Sequence, residues 1–145
     1  MAHSILVPID GSERSLNALD FVFDYFTDAT VTVIHVVNPV QPIYADAMGS
    51  PSQYDAEVQP REDAKDILDR AQERAALRSV DSSSRFESVI ETGPPARTIV
   101  EYTVEHNIDH IVMGSRGRTG ITRILLGSVA ESVARRSPVP VTIVR

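Results

Sequence analysis

No cysteine occurs in the 145 residues, so a disulfide framework, a thiolate nucleophile and a Cys-based zinc site are all closed. No apolar run approaches the roughly 18 residues that cross a bilayer, and the opening "MAHSILVPIDGS" has no basic region followed by a long apolar segment. A soluble, cytoplasmic protein is expected, with no membrane partner. Lysine is nearly absent: Lys65 is the one lysine among 14 basic residues, set against 20 Asp and Glu for a net charge of -6. That balance disfavours nucleic acid, because phosphate backbones attract basic surfaces and repel acidic ones. An acidic, lysine-poor surface is compatible with high salt, where screening lowers the cost of like charges, and GC-rich coding equally favours arginine. Acids are themselves missing from one window, His110 to Ala130, which holds Arg116, Arg118 and Arg123. A locally positive pocket is expected there.

With 42% hydrophobic residues the chain is long enough for one core, and a single domain over residues 1–145 is expected. "SILVPI", residues 4–9, is a short apolar run ending at the turn signal "DGS" and reads as a buried strand. Ser12 suits a helix N-cap, Glu13 its first turn, and Leu16, Leu19, Val22, Phe23 and Phe26 recur at helical spacing. "TVTVIHVV", residues 30–37, is a β-branched strand. Residues 38–60, rich in Pro, Gly, Ser and Asp, read as a long loop. An amphipathic helix over 62–79 carries Ile67, Leu68 and Leu77, and "RFESVIETG" reads as a third strand. Pro94 or Pro95 opens a helix with Ile99, Val100, Tyr102 and Val104 on its apolar face. "IDHIVMGS" is a fourth strand, Ser128 to Arg136 a helix, and "VPVTIVR" a fifth strand. Strand and helix alternate throughout, which predicts an α/β fold with a parallel sheet and helices on both faces.

Glycines at 114, 117, 120 and 127 punctuate the segment between the fourth strand and the last helix, outside the carboxyl ends of the strands where open α/β sheets bind ligands. Missing side chains let backbone N–H groups approach an anion, and a helix amino end adds unpaired donors and partial positive charge. Phosphate is the expected guest. Bland readings stand beside this one: Ser128 with Glu131 matches a capping box, Gly120, Arg118 and Arg123 read as surface loop, and Asp10 suits an Asx-turn. An acid at a phosphate site is electrostatically wrong, so a functional Asp10 faces ribose or adenine.

Gly114-Ser115-Arg116-Gly117, nine further residues, then Gly127-Ser128 form G-x2-G-x9-G-S, which resembles the nucleotide-binding signature of the universal stress protein family. "ILVPIDGSERS", "VIHVV", "ETGPPARTIVEY" and "PVPVTIV" resemble the family's other segments, so the likeness spans the chain except the loop after Asn38. The resemblance implies a single doubly wound domain, a five-stranded parallel sheet of order 3-2-1-4-5, which sets strands one and four side by side. It further implies that Pro8, Ile9 and Asp10 wall the adenosine, that Val36 meets adenine, and that Met113 packs beside the nucleoside. Gly114, Ser115, Arg116, Gly117, Gly127, Ser128 and Val129 would surround the phosphates. Ala130 replaces a hydroxyl residue often found in the family.

The leading function is an ATP-binding regulatory module of the stress response, with Mg2+ or Mn2+ held by the phosphates. A slow nucleotide hydrolase or phosphotransferase is the second reading, with Glu13 or Ser115 orienting a water, although no G-x-x-x-x-G-K-[ST] motif is present. A dimeric adaptor without nucleotide is the third. His106 and His110 are four apart but straddle a helix end, so no metal site is expected, and His35 is expected within or at the edge of the sheet. The last strand lies at the sheet edge, where Val141 to Val144 invite a twofold mate and a homodimer. Valine at Gly114 or Gly117 is expected to abolish nucleotide binding while leaving the fold largely intact.

Overall fold

The computed structural model describes residues 3–39, 60–78, 85–115 and 126–145. In chain order the elements are β1 (Ser4–Pro8), α1 (Glu13–Tyr25), β2 (Thr30–Val37), α2 (Pro60–Leu77), β3 (Phe86–Thr92), α3 (Pro95–Glu105), β4 (His110–Gly114), α4 (Ser128–Arg136) and β5 (Val141–Val144). All four strand pairings are parallel and the order is β3-β2-β1-β4-β5, as the alternation and the resemblance together predict. Within the expected loop 38–60, residues 40–59 lie outside the described residues.

Side-chain alternation along the strands divides the interior into two layers. Ile5, Val7 and Ile9 of the β1 segment, Val31 and Val33 of β2 and Val112 of β4 pack with Ala18, Leu19 and Val22 of α1 and Ile67 and Ala71 of α2. Leu6, Ile34, Ile111 and Met113 face the other way, onto Ile99 and Tyr102 of α3 and Ala130 and Val133 of α4. Central strands covered on both faces must be apolar on both, which is why "ILV" and "IVM" show no polar alternation.

Two expectations about helix faces fail. Val104 is 61% exposed and Leu77 80% exposed. At 100° per residue Val104 lies about 140° around α3 from Ile99, and Thr103 takes the inward position, its Oγ1 donating to the Ile99 carbonyl at 2.8 Å. Leu77 is likewise turned from the buried row Ala64, Ile67, Ala71 and Ala75. Phe26 is not within α1 but is its C-cap, its N–H donating to the Val22 carbonyl. The second helix starts at Pro60 and ends at Leu77, two residues earlier at each end than its periodicity suggests.

Arg74 of α2 and Arg78, just past its end, clamp α1. Arg74 binds Asp20 and reaches Glu13 at 3.2 Å, while Arg78 binds Asp24 and approaches Asp20 at 3.7 Å. Each such half-exposed pair contributes up to about 1 kcal/mol, so the clamp orients α2 over α1 more than it drives folding.

His110 opens β4, its ring against Phe26 and its Nε2 at 2.8 Å from the Thr142 hydroxyl of β5. Burial, and next the neighbouring His3, hold its pKa below the ordinary imidazole value. The unfolded chain therefore takes up this proton first as pH falls, so the stability His110 confers is full above about pH 6.5 and is lost below it, by at most about 1.4 kcal/mol per pH unit. Urea unfolding between pH 7.5 and 5.5 should show that loss, and His110→Gln should flatten it; an unchanged slope in the variant would place the effect elsewhere.

Candidate functional site

The sheet reverses its winding between β1 and β4, joined in register through Ile5↔His110 and Leu6↔Ile111. Their carboxyl ends therefore open a crevice at the topological switch point, bringing Asp10 together with Gly114 across a hundred residues of chain. The alternation puts Pro8 on the same face as Leu6, where Val36, Met113 and Val129 pack in the α3/α4 layer. Four of the expected adenosine-side and phosphate-side residues thus share one apolar wall. Ile9 faces the α1/α2 layer instead, so it offers the crevice its backbone rather than its side chain.

The start of α1 is closed by its own side chains. Asp10 Oδ1 accepts the Ser12 N–H at 2.9 Å, an Asx-turn, and Ser12 Oγ accepts the Ser15 N–H at 3.2 Å as N-cap. Ser15 Oγ donates to the Ser12 carbonyl and accepts from the Asp10 N–H. Gly11, at φ +89°, supplies the left-handed step this knot needs. Asp10 is half-buried, and one of its carboxylate oxygens serves this turn.

The start of α4 is different. Its N-cap is Gly127, with no side-chain cap bond, so the capping box expected at Ser128 is absent. Glu131 turns the other way and pairs with Arg135, and its N–H closes the first helical bond to the Gly127 carbonyl at 2.9 Å. Ser128 is the first helical residue, exposed, followed by half-buried Val129 and buried Ala130. The amides of these three residues lack an acceptor among the described residues, and a helix start in this state attracts anions. Ser115 ties this end to β4: its N–H donates to the Val144 carbonyl at 3.0 Å, and its carbonyl accepts the Gly127 N–H at 2.7 Å. Arg116 and Gly117, like Arg118, Gly120 and Arg123, lie outside the described residues.

Gly114 corrects an expectation. A Cβ built on it would stand 2.9 Å from both the carbonyl carbon and the oxygen of Arg14 and 3.2 Å from the Arg14 Cβ. The missing side chain admits the backbone of α1 rather than leaving room for a phosphate. A residue the sequence reasoning placed only loosely is His35, whose Nδ1 donates to the Ile9 carbonyl at 2.8 Å while the Ile9 N–H donates to the Ile34 carbonyl at 2.9 Å. The ring braces β1 just where the chain turns toward Asp10. A polar ring inside a β-branched run needs a buried partner, and that was the signal available.

The sequence profile described as the universal stress protein family matches residues 1–145. This chain belongs to the universal stress protein family. The universal stress protein YxiE of Bacillus subtilis is 32% identical over 152 aligned residues, covering all of both chains. Among solved structures, that of the hypothetical protein MJ0577 of Methanocaldococcus jannaschii superposes with a TM-score of 0.78 at 28% identity, over 99% of this chain and 96% of the other. A universal stress protein solved in complex with cAMP gives 0.66 at 30% identity, over 99% and 96%. The α/β sheet of order 3-2-1-4-5 is thus shared with universal stress protein structures.

In this universal stress protein, Gly114→Ala should cost about 1–3 kcal/mol of stability, since backbone atoms of α1 must move to admit one methyl, and Gly114→Val more. Urea unfolding of the nucleotide-free protein measures it; wild-type midpoints would show that α1 yields freely.

Proposed function

We propose that this universal stress protein is a single domain over residues 1–145 that binds ATP, or another adenine nucleotide, and acts as a nucleotide-dependent switch in the cytoplasmic stress response. One observation carries this reading: the amino end of α4 starts on Gly127 without a side-chain cap, beside an apolar wall of Pro8, Val36, Met113 and Val129. An apolar wall next to unpaired amides suits a molecule with a flat apolar end and an anionic tail. The relative in complex with cAMP supports an adenine nucleotide in this fold.

In this reading the purine lies against Val36 and Met113, with Pro8, Ile9 and Asp10 along the nucleoside. The free carboxylate oxygen of Asp10 meets ribose hydroxyls, away from the phosphates it would repel. Gly114, Ser115, Arg116, Gly117, Gly127, Ser128 and Val129 surround the phosphates, chiefly through main-chain amides. Among the described residues no group of three His, Asp or Glu is placed to hold a metal ion, so Mg2+ or Mn2+ would ride on the phosphates. Phosphoryl transfer is less well supported, because Glu13 is engaged by Arg74 and the Ser115 side chain belongs to a residue only 9% exposed. Binding without efficient turnover fits best.

Equilibrium dialysis with ATP and magnesium tests the assignment, with one nucleotide per chain expected. Ser128→Glu sets a carboxylate on the first turn of α4, where the helix dipole favours it by about 0.3–1 kcal/mol but a phosphate cannot. The variant should melt no lower than wild type yet lose ATP by about tenfold or more. Equal affinity in both proteins would remove the phosphates from this helix start.

The same reading takes the protein as a homodimer through β5. This strand ends the sheet order, and Val141 to Val144 are all half-buried, leaving one row of backbone groups open to a second chain. Light scattering at micromolar concentration should return twice the 15.9 kDa chain mass; a monomer would refute it.

A further inference from the structure

Of the nine arginines whose side chains are described, six have acceptors. Arg74, Arg78, Arg97 and Arg135 pair with carboxylates, and Arg70 and Arg85 donate to carbonyls. Arg136 and Arg145 are exposed to water. Arg14 fits none of these groups. It is half-buried, yet no hydrogen bond or ion pair holds its guanidinium among the described residues.

Its position on the helix makes this costly. Arg14 sits in the first turn of α1, where the dipole is positive and a cation is disfavoured. Neither adjacent acid pairs with it: Glu13 turns to Arg74, and Asp10 gives one oxygen to the Ser12 N–H. Five donors on a half-buried guanidinium with no partner among the described residues suit an anion brought from outside.

The packing at Gly114 locates that anion. The Arg14 Cβ lies 3.2 Å from where a side chain at 114 would begin, so the arginine is rooted at the switch-point crevice. The next residue, Ser115, accepts the N–H of Gly127, the N-cap of α4. Arg14 therefore lies at the same end of the sheet as the start of α4, but in the α1 layer, whereas Val36 and Met113 line the opposite layer. With the nucleoside between that wall and Asp10 at the entry to α1, the phosphate chain is the part of the nucleotide left to meet Arg14, four residues further along the chain.

We propose that Arg14 binds the distal phosphates of the nucleotide and sets the preference for ATP over AMP, an inference that rests on the adenine-nucleotide reading above. Calorimetric titration of the full chain and of Arg14→Gln with ATP and with AMP tests it, alongside melts without ligand. Expected are a loss of about tenfold or more for ATP in the variant, AMP affinity within about twofold of wild type, and an unliganded melt unchanged or raised, since a cation has left the positive end of α1. Arg14→Lys should recover part of the ATP affinity by retaining the charge. Wild type binding ATP and AMP with Arg14→Gln matching it for both would overturn the role of Arg14 while leaving the nucleotide reading intact. Equal losses for ATP and AMP, or a lowered unliganded melt with ATP affinity regained under stabilising conditions, would make Arg14 a structural residue. Wild type binding neither ligand would defeat both proposals.

Discussion

The parallel pairing of β1 with β4 is the constraint that the rest of this molecule inherits. Ile5 lies beside His110 and Leu6 beside Ile111, and the lower end is fixed by reciprocal bonds in which the Asp109 N–H meets the Ser4 carbonyl and the Ser4 N–H meets the Asp109 carboxylate. Because the winding reverses here, the chain leaves β1 toward one face and β4 toward the other, and a crevice opens between the departures. Side chains close one wall of it and main-chain donors line its rim. The close seating of α1 on β4 is possible only because residue 114 has no Cβ.

Two helix starts meet at this crevice, and they are built to opposite ends. At α1 the amides are satisfied internally through Asp10, Ser12 and Ser15, so that turn is a self-contained joint whose shape does not depend on a ligand. At α4 the cap is a glycine and Glu131 is drawn to Arg135, so no side chain among the described residues closes that end. An isolated open helix start is a modest loss of stability.

Charge follows the same division. Away from the crevice Arg74 and Arg78 lock onto acids of α1, positioning the layer that carries Arg14. The net charge of -6 gives a phosphate no general attraction, so any attraction must be local. Arg14, with no acceptor among the described residues, is one such local charge at the carboxyl end of the sheet.

Much of this was legible in the residues themselves. The alternation of β-branched runs with helical spacing specified every described strand and helix to within about two residues, since such patterns depend on near neighbours. The glycine spacing pointed to the family and to the segment that matters. Side-chain direction was less legible: Val104 and Leu77 looked apolar enough for the core but fall on outward faces, because composition reports hydrophobicity while helix phase decides burial. Ser128 and Glu131 spell a capping box that the backbone does not form, as Arg135 outcompetes the helix start for the carboxylate. By itself, then, the sequence determined the elements and their alternation, which are local quantities. Only the tertiary structure decided that the space beside Gly114 belongs to α1, that His35 braces Ile9 and that Arg14 has no acceptor among the described residues, because each depends on atoms brought together from strands and helices far apart in the chain.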